Sequence, residues 1–205
     1  MRIKMAVLVE GLSVIIRKDA IKRSFRGGWR AFLRTIPNRT FCADEDLVRV
    51  GFMIPNDVQT YIDMMKDHGL CFLDQGSPVD IAVVDQLTGP TTKCDWLEFS
   101  RFPVDDSEGR ISACWLFEGP RVGYGLHTKS LEIKIEVPRG WEYEGSLSQD
   151  YVFIPLGEEM KQSTYLESKD GIDVYYHTPT GKIRYVSRPF SKNGLGRPRK
   201  PDPVN

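Results

Sequence analysis

The stretch RSFRGGWRAFLR puts Arg26, Arg30 and Arg34 four residues apart, and three guanidiniums at that spacing are suited to binding an anion. Drawn as a helix over 28–36, the segment aligns these arginines at i, i+4 and i+8, opposite a core-facing stripe of Trp29, Phe32, Leu33 and Ile36 that stops before Pro37. Stacked like charges cost a few tenths of a kcal/mol per pair unless something anionic answers them. Two kinds of answer are open: the acidic turn Asp44, Glu45 and Asp46 nearby in the chain, or an external partner, whether an acidic protein surface, a nucleic acid or a phosphorylated ligand.

Other reactive residue types are scattered. The histidines, His68, His127 and His177, form no local ligand pair, and the cysteines, Cys42, Cys71, Cys94 and Cys114, form no Cys-x-x-Cys. Cys94, Asp95 and His127 can be written as a nucleophile, acid and base, but no nucleophile elbow accompanies them. In a strand over 95–99, Asp95 and Glu98 fall on opposite faces, so they do not converge as a carboxylate pair. No G-x-x-x-x-G-K-[ST] or G-x-G-x-x-G loop is present, although Arg26-Gly27-Gly28 opens a helix where an anion could sit. The expectation is therefore no metal, no cofactor and no catalytic signature, leaning away from an enzyme.

Charge is segregated along a chain of 205 residues whose formal net charge is zero. Residues 1–40 carry ten Lys and Arg against two acids, residues 41–160 nine against 22, and residues 161–205 nine against four. Basic ends and an acidic middle either pair internally or present the ends to an anionic partner. The apolar run at the start is broken by Glu10 and Gly11 with no cleavage site after it, and no stretch is long enough to span a bilayer, so a cytoplasmic, non-membrane protein with reduced thiols is expected.

The elements that must position these residues read as α+β. Strands are predicted at 5–17, 47–54, 70–73, 79–85, 95–102, 111–117, 130–137, 150–154, 172–177 and 183–188. A second helix is predicted over Asp57 to His68, with Asn56 as N-cap, Gln59 at the capping-box position and Gly69 as the stop. The division expected is an α+β unit over 1–90, a mainly antiparallel β region over 91–190, the two forming one domain or two, and a flexible basic tail over 191–205.

Two resemblances concern the last third. Asp173, Val174, Tyr175, Tyr176, Pro179, Gly181, Lys182 and Arg184 resemble the hairpin of methyl-CpG-binding domains, and Trp141 is similar to that family's opening tryptophan. Trp141 stands 32 positions before Asp173, a wider gap than that family uses, and a Tyr-rich hairpin closed by Pro and Gly is also a common strand-pairing solution. Gly196-Arg197-Pro198-Arg199-Lys200-Pro201 resembles an AT-hook, which implies Arg197, Arg199 and Lys200 in the minor groove of A/T-rich DNA, although Leu195 replaces the leading arginine of its core. The expected function is a non-catalytic interaction or regulatory protein binding an unidentified protein or other anionic partner. A nucleic-acid binder using the stripe and tail is the alternative, and a hydrolase the third.

Overall fold

The computed structural model describes residues 4–104, 109–117, 133–150, 162–169, 172–179 and 181–187. In chain order they form β1 (Lys4–Val9), β2 (Leu12–Arg17), α1 (Lys18–Ser24), α2 (Gly28–Leu33), β3 (Cys42–Ala43), β4 (Leu47–Phe52), α3 (Pro55–Asp67), β5 (Leu73–Asp74) and β6 (Ser77–Pro78). There follow β7 (Ile81–Asp85), β8 (Gly89–Pro90), β9 (Leu97–Pro103), β10 (Arg110–Leu116), β11 (Ile133–Glu136), α4 (Leu147–Asp150), β12 (Ser163–Lys169), β13 (Ile172–His177) and β14 (Lys182–Ser187). The fold is α+β with mainly antiparallel sheets, β1 and β11 forming a parallel pair.

The central sheet has the order β3-β4-β2-β7-β8, and a second sheet the order β11-β1-β10-β9. Strands β2, β4 and β7 carry branched apolar residues on both faces because both faces are covered. Leu12, Val14, Ile16, Val48, Val50, Ile81 and Val83 face one way and pack with Ile21, Phe25, Phe32, Val58, Ile62 and Met65 of the helical layer. Ile15, Leu47, Ala82 and Val84 face the other way, against Val7, Val9, Leu97 and Cys114 of the second sheet. Each large aliphatic side chain buried this way contributes roughly 1.5–3 kcal/mol, so this three-layer sandwich is the main source of stability.

The run predicted as a single strand over 5–17 is two strands in two different sheets, bent at Glu10 and Gly11. Gly11 has φ +57°, and a Cβ there would lie 2.7 Å from the Phe52 carbonyl oxygen. The bend is held from all sides. Gln86 accepts from the Gly11 amide at 3.0 Å and donates to Ser148 Oγ at 3.2 Å. Glu10 Oε1 accepts from both the amide and the hydroxyl of Ser148 at 3.0 Å. Arg49, 1% exposed in mid-β4, donates to Ser13 Oγ at 3.0 Å, the Thr40 carbonyl at 2.7 Å and the Glu10 carbonyl at 3.1 Å. Gly51 leaves the room this needs, since a Cβ there would meet Arg49 Nη2 at 2.7 Å.

Helix α3 begins at Pro55 with Ile54 as N-cap, so the expected cap at Asn56 and capping box at Gln59 are corrected. Proline pre-sets the first helical turn and needs no amide partner. Gln59 instead donates to Asp63. Gly69 ends the helix as expected, with φ +103°. Strand β5 starts at Leu73, later than predicted, because Cys71 and Phe72 give their carbonyls to Asp80 and Val79. Helix α1 and strand β12 were not predicted, and Asp150, expected to open a strand over 150–154, ends α4, while 151–154 lie outside the described residues. The hairpin β13–β14 forms, its ends meeting at His177 and Lys182, within a sheet of order β12-β13-β14.

Replacing Arg49 with Ala should lower the unfolding free energy by about 3–5 kcal/mol, through orphaned carbonyls and a large cavity. Gly11→Ala should destabilise more than Gly140→Ala, since both glycines have positive φ but only Gly11 is crowded. Urea unfolding midpoints measure all three.

Candidate anion-binding face

Helices α1 and α2 meet at a tight corner, Phe25 to Gly27. Gly27 and Gly28 take φ of +86° and +65°, and a Cβ on Gly27 would lie 2.7 Å from that of Ala31, so both the turn and the packing call for glycine. The corner is anchored to the end of α3, where the Arg26 amide donates to the His68 carbonyl at 2.8 Å and the His68 ring stacks on Phe25 at 4.6 Å. Phe32 packs edge-on to Phe25 at 5.5 Å and stacks with Trp29 at 5.5 Å, seating α2 on the sheet. These contacts fix which side of each helix is left outward.

That outward side is basic. Residues 17–40 hold eight Lys and Arg and a single acid, Asp19. Asp19 is shared by Arg17 at 3.1 Å and Arg23 at 3.3 Å, and Arg23 also reaches buried Asp80 at 3.3 Å. Partial burial works against the Asp19 charge, yet its arginine neighbours hold the carboxyl below its ordinary pKa. Lys18 donates to the Asp44 carbonyl and sits 5.1 Å over the Trp29 ring. Arg26, Arg30 and Arg34 are all exposed, and none forms an ion pair with the described residues. Lys22 and Arg39 are exposed beside them in sequence.

Asp44 of the acidic turn is engaged elsewhere. Asp44 is 5% exposed, and its Oδ1 accepts the amides of Asp46 at 2.8 Å and Leu47 at 2.7 Å, so its carboxylate closes its own turn. Burial nonetheless pushes its pKa up against those bonds. The helix also differs from the expectation: α2 spans Gly28–Leu33, which leaves Arg26 in the preceding turn and Arg34 at the C-cap. Arg30 and Arg34 share a helical ridge, while Arg26 approaches from beyond the glycine corner. Leu33, expected in the core, is 42% exposed.

The remaining candidates do not assemble into a reactive site among the described residues. Cys94 is buried and its thiol pKa is raised by burial, while Asp95 is exposed and lies 3.7 Å from Lys93; His127 lies outside the described residues. Asp85 accepts the amides of Leu87 and Thr88 and so closes a turn. No group of three or more His, Cys, Asp or Glu able to hold a metal occurs among the described residues. Arg197, Arg199 and Lys200 also lie outside them. No described helix is long and apolar enough to cross a membrane. The chain matches no known family, no characterised protein and no solved structure.

Sequence reasoning missed the buried polar residues, Arg49 above all. Its signal was an arginine inside the apolar run LVRVGF with a glycine two positions on. Arg49 lies in the space between the sheets that also holds Cys42 and Cys114, and burial pulls its pKa down while nearby Cys42 and Glu10 oppose the change.

The four cysteines are free thiols, with Cys71 exposed and the other three buried. A thiol reagent such as dithionitrobenzoate should therefore label Cys71 quickly in the native protein and the other three only on unfolding. Burial pushes the Cys42 pKa from 9.0 to about 11, so the native state holds this proton more tightly than the unfolded chain. Its contribution is intact below pH 9.0 and is lost as pH rises towards about 11, by about 3 kcal/mol at most. Urea unfolding across that window should show the loss, and Cys42→Ala should reduce it.

Proposed function

We propose that this is a non-catalytic, intracellular interaction or regulatory protein that binds an anionic partner through the face formed by α1 and α2. The observation that carries this reading is the exposure of Arg26, Arg30 and Arg34 without acidic partners among the described residues, around a helix corner otherwise well anchored. Unanswered like charges disfavour the free protein slightly, and an anionic surface would relieve that repulsion. On a chain of zero net charge the patch would also act by direction, steering a partner to one face while the acidic remainder repels it elsewhere. Four free thiols, three of them buried in a packed core, suit a reducing compartment.

Retention on a cation-exchange matrix at neutral pH tests the patch, because a protein without net charge is held there only by a local concentration of cations. The wild type should be retained and should elute at moderate salt. Arg30→Glu combined with Arg34→Glu should abolish retention with the unfolding midpoint unchanged. Reversing Arg197, Arg199 and Lys200 to Glu instead should leave most of it. If only the tail variant loses retention, the face has no role in binding.

A further inference from the structure

We infer that the partner of this face is an acidic protein segment that also carries apolar side chains, rather than a polyanion recognised by charge alone. The inference rests on the proposed function and narrows it. Trp29 and Leu33 are one turn apart on α2, as are Arg30 and Arg34, so an apolar ridge and a cationic ridge run side by side and not on the opposite sides expected. Leu33 is 42% exposed although it belongs to the same stripe as buried Phe32, and Trp29 is only partly buried. Lys18, 5.1 Å over the Trp29 ring, adds a further cation at the tryptophan end of the apolar ridge. The exposed leucine thus stands beside a row of guanidiniums.

A segment with carboxylates and apolar residues on one face satisfies both ridges at once. Each guanidinium can take a carboxylate through two parallel hydrogen bonds, while an apolar side chain covers Leu33 and the exposed part of Trp29. Interfaces of this kind place an apolar or aromatic anchor at the centre and arginine around it. A phosphate backbone would answer the arginines equally well but is hydrated along its length and gives Leu33 little to bury against.

Three probes separate these cases: a synthetic peptide of Glu interspersed with Leu, a leucine-free polyglutamate of equal length, and a duplex DNA, each titrated into the full-length protein by fluorescence anisotropy. The Glu/Leu peptide should bind most tightly. Leu33→Ser should weaken it about tenfold, the scale of losing one partly buried leucine contact, while Leu33→Met restores it and polyglutamate binding is unaffected. If both peptides bind equally and Leu33→Ser changes neither, while Arg30→Glu with Arg34→Glu abolishes both, the anion-binding face stands and this inference falls. DNA binding more tightly than either peptide would also overturn it. Concentration-dependent self-association in sedimentation, lost on the same charge reversal, would assign the face to a second copy of the chain. If no probe binds and the protein remains monomeric, the proposed function fails as well.

Discussion

The first apolar run leaves one sheet and enters another within two residues, and the rest of the fold depends on that bend. A strand can change direction so sharply only where the side chain is absent and the interrupted backbone groups find other partners. Gly11 meets the first condition, and Gln86, whose amide accepts the Gly11 hydrogen bond at 3.0 Å, meets much of the second. Arg49 completes it from within β4 by binding the Glu10 carbonyl and the Ser13 hydroxyl. Because β1 and β2 then belong to sheets packed face to face, Val7 and Val9 meet Ile15, Ala82 and Val84 in one core.

With that side of the central sheet closed by the second sheet, its other side must be covered by helices. Their apolar faces are used up by Leu12, Val14, Ile16 and their neighbours, and nearly all their charged residues are exposed on the other side. Helix α3 shows a mixed surface in which Asp63 takes both Gln59 and Lys66. The corner between α1 and α2 has a single acid for eight cations. The concentration of positive charge on one part of the helical layer thus follows from topology acting on an uneven sequence.

Much of this was legible where residues answer to local physics. The apolar runs at β4, β7 and β10, the stop at Gly69 and the Pro/Gly hairpin between β13 and β14 all depend on near neighbours. The bend at Gly11 was not legible, because a continuous run of apolar residues looks the same whether one sheet or two receives it. Arg49 and Gln86 were missed for a related reason: their partners are 36 and 75 positions away. The arginine stripe was seen, but its helix ends at Leu33, short of the expected Ile36, and Leu33 is exposed instead of buried, while the competing partner at Asp44 closes its own turn.

The central claim is that the α1–α2 corner is the surface through which this protein meets an anionic partner. Amide chemical-shift mapping of the isotopically labelled full-length protein, with the Glu/Leu peptide titrated in, tests it residue by residue. The account predicts perturbations centred on residues 22–39, including the side-chain Nε–H groups of Arg30 and Arg34, with little change along β4 or α3. Perturbations centred elsewhere, with residues 26–34 unmoved at saturation, would contradict it.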